Sequence, residues 1–520
     1  MAGPQHKALK LLLIAAENGA LPGGKVGGMG DVIRDLPRAL AALGHEVSVL
    51  VPGYQHFSRL PGAVLDTVLE VDFRSGSERV ELWSLPVDRA HPGVRCQVLE
   101  HPLLAPCGAG RIYCDDGPGR PFATDASKFA LFCAAAATAL RDGVLALPDR
   151  VHLHDWHTAL VPVLARFEPE FAALNTLNFV YTIHNLALQG IRPLRDDDSA
   201  LESWFPRLRY DYAFIGDPRY PDCFNPMRAA IRLCRKVHAV SPTYAREIQN
   251  HAGEGLAEDL RQAQREGRLE GILNGCEYPG PVAGPVEFSA LLAVIRAELK
   301  RWRQGAAADC ALRAANTVER WRRRKRPTTL VTSVGRLTEQ KVRLLRLAAL
   351  DGRSVLEHLL DRLGRRGLFL LLGSGDPALE DFFAEVSLRT ENFVFLRGFS
   401  EPLSEQLYAG GDLFLMPSSF EPCGISQMLA MRAGQPCLVH AVGGLADTVR
   451  DGVDGFAFSG LDESEQVAQL LLRFDQVLTL RTADPAGWNR VCKEAAAVRF
   501  GWAEVAGAYE SRLYQDPDRA

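Results

Sequence analysis

The sequence predicts an α/β protein made of two doubly wound domains in tandem, each a parallel sheet flanked by helices. Three observations carry this reading. At 520 residues the chain exceeds the roughly 250–300 residues at which a single hydrophobic core stops growing. Short apolar, β-branched-rich runs at 11–16, 46–51, 94–100, 150–153, 178–183 and 236–240 alternate with helical stretches, the rhythm of parallel strands joined by crossover helices. The rhythm restarts after residue 327, with strands expected at 328–334, 367–372, 393–396, 412–416 and 436–440. The domains so implied are 1–275, a linker and basic helical insertion over 276–326, a second domain over 327–480, and terminal helices over 481–520.

Composition narrows the class further. With 47% hydrophobic and 23% charged residues the chain is an ordinary globular protein. Its 59 basic and 63 acidic residues leave a net charge of −4, which gives no case for nucleic acid as a partner of the whole chain. Eleven cysteines are scattered and never spaced CxxC, the usage of a reduced, cytoplasmic protein without structural zinc. The run Leu11–Ala16 is too short to span a membrane, and no membrane partner is expected. It reads as the first buried strand, because a glycine-rich turn and an amphipathic helix follow it.

That turn is Gly23-Gly24-Lys25-Val26-Gly27-Gly28-Met29-Gly30-Asp31-Val32. The helix after it places Val32, Ile33, Leu36, Leu40 and Leu43 on one stripe and runs to Gly44, with a kink expected at Pro37. Glycines let a backbone approach a ligand, amides at a helix start favour an anion, and Lys25 adds a full positive charge. The spacing is neither GxGxxG nor a Walker loop, so a phosphate site and a plain tight turn both stand.

Two histidine-rich strand ends follow, His152-Leu153-His154-Asp155-Trp156-His157 and Tyr181-Thr182-Ile183-His184-Asn185-Leu186. No carboxylate or cysteine cluster accompanies them at metal-ligand spacing. At the carboxyl ends of parallel strands, Asp, Asn and His face the ligand crevice and suit sugar hydroxyls; structural roles at the strand ends are the alternative.

Residues 276–326 open with the Pro/Gly-rich stretch 278–285 and end in a basic helical run: Lys300, Arg301, Arg303, Arg320, Arg322, Arg323, Arg324, Lys325 and Arg326, with Trp302 and Trp321 interleaved. The expectation is a linker and an exposed basic helix at the hinge; stacking of the tryptophans on a sugar chain is the alternative.

In the second half, Ser333-Val334-Gly335-Arg336-Leu337-Thr338-Glu339-Gln340-Lys341 follows a strand, which puts two cations at its carboxyl end. They suit a departing diphosphate, or else are solvated surface charges. The run Met416-Pro417-Ser418-Ser419-Phe420-Glu421-Pro422-Cys423-Gly424-Ile425-Ser426-Gln427 ends a strand, presents one carboxylate and begins a helix. Glu421 either meets a ligand or caps that helix. A nucleophilic Cys423 would need a partner histidine that no recognisable spacing supplies.

Together these segments resemble the bacterial glycogen synthases and plant starch synthases. The resemblance rests on Lys25–Val32, His154–His157, His184–Gly190, Val240–Ala245, Leu273–Gly275, Arg336–Lys341, Phe420–Gly424 and Gly443–Val449, in family order along nearly the whole chain. It implies a GT-B fold, two Rossmann-like domains facing a central cleft, with a C-terminal helix from Trp502 crossing back to the first domain. It implies an enzyme that transfers glucose from ADP-glucose to the non-reducing end of an α-1,4-glucan such as glycogen, with retention of configuration. No cofactor and no metal are implied.

By the same resemblance Lys25 and the amides of Gly27 and Gly28 contact the donor diphosphate, and Arg336 and Lys341 stabilise it as it leaves. His184 sits at the reacting sugar with its carbonyl toward the developing positive charge. Asp155 and Asn274 help to hold the sugar, Glu421, Cys423 and Gly424 hold glucose hydroxyls, and Phe399 lies beside the adenine.

Three departures accompany the match. Asn274-Gly275-Cys276-Glu277 runs into Tyr278-Pro279 where the family has Asp and then Trp-Asn-Pro, Val342 replaces the glycine after Gln-Lys, and 300–326 has no evident counterpart. A related transferase with another nucleotide sugar or a small acceptor is the enzyme alternative, and a non-catalytic glucan-binding protein the other. Retention of Lys25, Arg336, Lys341 and Glu421 together speaks against the latter, since a binding module needs no leaving-group cations.

Overall fold

A computed structural model describes residues 8–88, 91–278, 280, 286–302, 308–349 and 351–515. They form two compact units, Met1–Gly275 with Gly501–Ala520 and Cys276–Phe500.

The strands of unit 1 are β1 (Lys10–Ile14), β2 (Glu46–Pro52), β3 (Val64–Phe73), β4 (Gly76–Ser84), β5 (Val94–Glu100), β6 (Arg150–His154), β7 (Phe179–Ile183), a short ribbon of β8 (Arg192–Pro193) and β9 (Cys223–Phe224), β10 (Lys236–Ala239) and β11 (Leu269–Gly271). Nine of them make one sheet in the order β11-β10-β7-β6-β1-β2-β5-β4-β3. It is parallel from β11 to β5 and antiparallel at β4 and β3. The central strands are buried on both faces, which is why β1 reads Lys-Leu-Leu-Leu-Ile and not as an alternation. The β3–β4 hairpin was not expected, although its alternation is plain: Leu69, Val71 and Phe73 point in, Glu70 and Asp72 out. The helix Gly28–Ala42 is unbroken through Pro37. The helix Ala123–Arg141 is buried along almost its whole length, and its alanine run permits that.

In unit 2, β12 (Leu330–Val334), β13 (Leu368–Gly373), β14 (Phe393–Arg397), β15 (Leu413–Met416), β16 (Cys437–His440) and β17 (Phe456–Phe458) form an all-parallel sheet in the order β14-β13-β12-β15-β16-β17. Cores pack on both faces, one around Leu356, Phe383 and Phe474 and the other around Leu291, Leu403 and Met431.

Three expectations are corrected. The segment 276–326 is no linker with an exposed helix: the helices Phe288–Trp302 and Ala308–Arg322 belong to unit 2 and bury Leu291, Ile295, Leu299, Ala314, Val318 and Trp321 in its core. Trp321 donates from its indole nitrogen to Glu391 O at 3.2 Å, and Trp302 packs on Gly398. Arg303 and most of 278–285 lie outside the described residues. Of the terminal stretch, only Gly501 onward belongs to unit 1, because the helix Pro485–Ala497 packs on unit 2 through Trp488 and Val491. Finally, the thiols are not all reduced: Cys107 and Cys114 form a disulfide, and the other nine cysteines are outside any disulfide.

Candidate active site

In an open parallel sheet, ligands bind beyond the carboxyl ends of the strands where the strand order reverses direction. In unit 1 that point lies between β1 and β6, so the loops at 15–28 and 155–158 meet there. In unit 2 it lies between β12 and β15, which brings together the loops at 335–338 and 417–425. Every segment singled out for anion binding lies at one of these two places.

The glycine-rich loop is organised by a residue that motif reading passed over. Glu17, 3% exposed, accepts the amides of Val26 at 2.8 Å and Gly27 at 2.7 Å and the hydroxyl of Tyr113 at 2.8 Å. The amide of Gly27 therefore donates to a carboxylate, where a diphosphate contact was expected, and Gly28 opens the helix. A Cβ on Gly30 would stand 3.0 Å from both the Glu17 carboxylate and the Lys25 side chain, so a larger residue would push on both. Lys25 is half exposed and pairs with Asp31 at 2.7 Å, while Arg34 also reaches Asp31 at 3.1 Å. The signal for Glu17 was available: a carboxylate just past the end of a buried strand.

Asp155 and His184 are brought together, in a way not foreseen. Asp155 has a positive φ of 55° at the end of β6, and its Oδ1 accepts the backbone amide of His184 at 2.7 Å. Burial pushes its carboxyl up to about 8, against the pull of the His184 and Asn185 amides. Asp155 thus shapes the 184–185 loop, where a contact with the sugar was expected. His184 Nε2 lies 3.0 Å from His154 Nδ1, and burial drives His184 down to about 3, a neutral imidazole.

Below this pair runs a buried polar chain absent from the sequence reading: Tyr514 to His152 at 2.7 Å, His152 to Thr182 at 2.6 Å, Thr182 to His238 at 3.0 Å, and His238 to Ile272 O at 3.0 Å. Asn274 is buried beside it and accepts from Tyr509 at 3.5 Å. No group of three or more His, Cys, Asp or Glu side chains among the described residues is placed to hold a metal ion.

In unit 2, Lys341 is in the first turn of the helix Glu339–Arg346 and its Nζ lies 3.0 Å from Glu421 Oε2. Glu421 is 6% exposed and also accepts from Ser418 Oγ at 3.3 Å. It stands well before the helix Ser426–Arg432 and does not cap it. The loop is held from behind: Gln340 O accepts Ser419 N at 2.8 Å, and a Cβ on Gly443 (φ +44°) would meet Glu421 O at 2.0 Å. Cys423 is buried, with its thiol directed to Gly424 O at 3.4 Å. Arg336 is exposed at the end of β12 with no ion pair among the described residues, and Phe399, just past β14, is 75% exposed. One exposed cation and one cation paired to a buried carboxylate can hold a diphosphate and the hydroxyls of its sugar side by side.

The chain is similar to known proteins along nearly its whole length. Residues 10–262 match the starch synthase catalytic domain, and residues 328–475 match the glycosyl transferases group 1 domain. The glycogen synthase of Anaeromyxobacter sp. (strain Fw109-5) is 35% identical over 523 aligned residues, covering 98% of this chain and 99% of its own. That of Streptococcus equi subsp. equi (strain 4047) is 33% identical, covering 96% and 98%. The catalytic domain of starch synthase IV from Arabidopsis thaliana, bound to ADP and acarbose, superposes with a TM-score of 0.74 at 28% identity, covering 98% of this chain and 99% of that one. Sucrose-phosphate synthase from Thermosynechococcus elongatus shares the fold alone, with a TM-score of 0.55 at 17% identity. The fold is GT-B, and the chain belongs to the glycogen synthase and starch synthase family of glycosyltransferases.

Proposed function

We propose that this enzyme transfers glucose from ADP-glucose to the non-reducing end of an α-1,4-glucan with retention of configuration. The observation that carries the reading is the grouping of Arg336, Lys341 and Glu421 at the switch point of unit 2. Cleaving the bond between sugar and diphosphate builds negative charge on the leaving group, and two fixed cations lower the cost of that charge. Glu421 meets glucose hydroxyls, Phe399 lies beside the adenine, and Cys423 and Gly424 complete the wall of the sugar site.

In unit 1, Lys25 and the amide of Gly28 are the diphosphate contacts, and His184 lies beside the reacting sugar, its loop held by Asp155. A double-displacement route requires a carboxylate free to attack the anomeric carbon. Asp155 is occupied with backbone amides and Glu421 with Lys341, which favours attack by the acceptor hydroxyl on the face the diphosphate leaves. Protein cations take the part that a metal ion plays elsewhere, so we infer a reaction without a metal cofactor, and activity should survive exhaustive dialysis against EDTA. Abolition by the chelator with recovery on adding a divalent ion would overturn that part. A cytoplasmic location goes with nine of the eleven cysteines standing outside any disulfide.

Nucleotide release, measured from ADP-glucose and from UDP-glucose with and without glycogen, tests the assignment. Glycogen-dependent release of ADP is the expected result. Release that prefers UDP-glucose, or that ignores glycogen, would replace the donor or the acceptor named here.

A further inference from the structure

The buried polar groups of unit 1 determine where their own protons sit. Ile272 O can only accept, so His238 Nε2 is protonated, and its neutral ring leaves Nδ1 bare. Thr182 Oγ1 at 3.0 Å and the Tyr509 hydroxyl at 3.3 Å both face that bare nitrogen, and the nearer of the two donates to it. The Thr182 oxygen then accepts from His152 Nε2 at 2.6 Å, which leaves His152 Nδ1 to accept from Tyr514. Each link fixes the tautomer of the next.

The same reasoning applies to the neighbouring pair. One proton lies between His154 Nδ1 and His184 Nε2, which are 3.0 Å apart. If His184 supplied it, His154 would carry its own proton on Nε2, which is buried with no partner. If His154 supplies it, only a lone pair is left there. A buried N–H without an acceptor is the costlier of the two, so the second arrangement holds.

We propose that His154 is a positioning residue: by donating to His184 Nε2 it holds His184 in the tautomer whose Nδ1–H is a hydrogen-bond donor toward a hydroxyl of the transferred sugar. The proposal rests on the reading of His184 as the residue beside that sugar. His184 is itself only part-buried, and its Nδ1 has no protein partner among the described residues.

The test joins spectroscopy with kinetics. In protein labelled with [15N]histidine, and assigned with His184→Ala, His184 should show a protonated Nδ1 and a bare Nε2. A protonated Nε2 overturns the proposal outright. His154→Leu removes the donor and should lower kcat about tenfold while the KM for glycogen moves less than about twofold. His154→Asn offers an amide nitrogen near the place of Nδ1 and should recover kcat to within about threefold of the parent. Equal losses in the two variants, at unchanged melting temperature, would also overturn it. Wild-type turnover in His184→Ala would instead remove His184 from the sugar site, and the spectrum would still decide the tautomer.

Discussion

Lys341 and Arg336 are both leaving-group cations in this reading, yet their surroundings set them apart. Lys341 pairs with a carboxylate that is otherwise buried, whereas Arg336 is exposed. Replacing either with Ala should lower turnover by about 10²–10³, the loss expected for one preorganised partner of a developing charge. Only Lys341→Ala should also cost stability, about 1–3 kcal/mol, because it leaves Glu421 buried without a counter-charge. Lys25→Ala should resemble Arg336→Ala, since Asp31 keeps Arg34 as a partner. Steady-state kinetics alongside thermal melts check this, and near-normal turnover in all three variants would remove the diphosphate roles.

The buried histidines give unit 1 a pH dependence whose sign follows from burial. His238 is pushed down to about 4 and His184 to about 3, and His152, His154 and His157 also fall well below their ordinary value. As pH drops below about 6.5, the unfolded chain takes up protons that the folded chain refuses, so stability falls. Asp155 works the other way. Its carboxyl, raised to about 8, keeps a proton that the unfolded chain releases above about 4, so its contribution declines as pH rises through that window. The melting temperature should drop between about pH 6.5 and pH 4, and Asp155→Asn should flatten the decline between about pH 7 and pH 8. A flat profile over the acid range would show that the histidines are not held neutral.

At the scale of elements, the helices Phe288–Trp302 and Ala308–Arg322 show what a dense run of charge conceals. In the second helix Ala311, Ala314, Val318 and Trp321 recur at helical spacing and face the core, while Arg320, Arg322 and Arg323 pair with Glu391 or Glu319 on the outside. The apolar stripe was legible beneath the dense run of arginines. Trp321→Ala should therefore destabilise the protein by about 3–5 kcal/mol, read by thermal denaturation, and leave the apparent affinity for glycogen unchanged below the melting range. A stable variant with weakened glycogen binding would return Trp321 to an acceptor role.

The segments carrying Lys25, Arg336, Lys341 and Glu421 were readable because each follows a short apolar run, and a parallel strand announces its carboxyl end. The chain through Thr182 was not. Thr182 lies opposite both His154 and His238 only once β6, β7 and β10 are in register, and register is a property of the assembled sheet.

At the scale of the whole molecule, unit 1 is discontinuous in sequence. Trp502 packs against Gly275, where a Cβ would lie 2.6 Å from its ring, and Arg150 Nε donates to Tyr514 O at 2.9 Å. Tyr509 and Tyr514 reach into the histidine chain, and Arg512 pairs with Glu270 at 2.7 Å. Ending the chain after Phe500 would uncover Trp502's site and leave buried His152 and Arg150 without these partners, so unit 1 should become readily proteolysed.

A ribosome makes β1 through β11 first, then all of unit 2, and only afterwards the segment that closes unit 1. At ~5–20 residues per second, the early part waits on the order of ten to forty seconds for its last piece. During that interval its polar interior is open to solvent. Any message that stalls within the region coding for unit 2 yields a product that cannot finish folding its first half, so the enzyme's yield depends on translation reaching Tyr514.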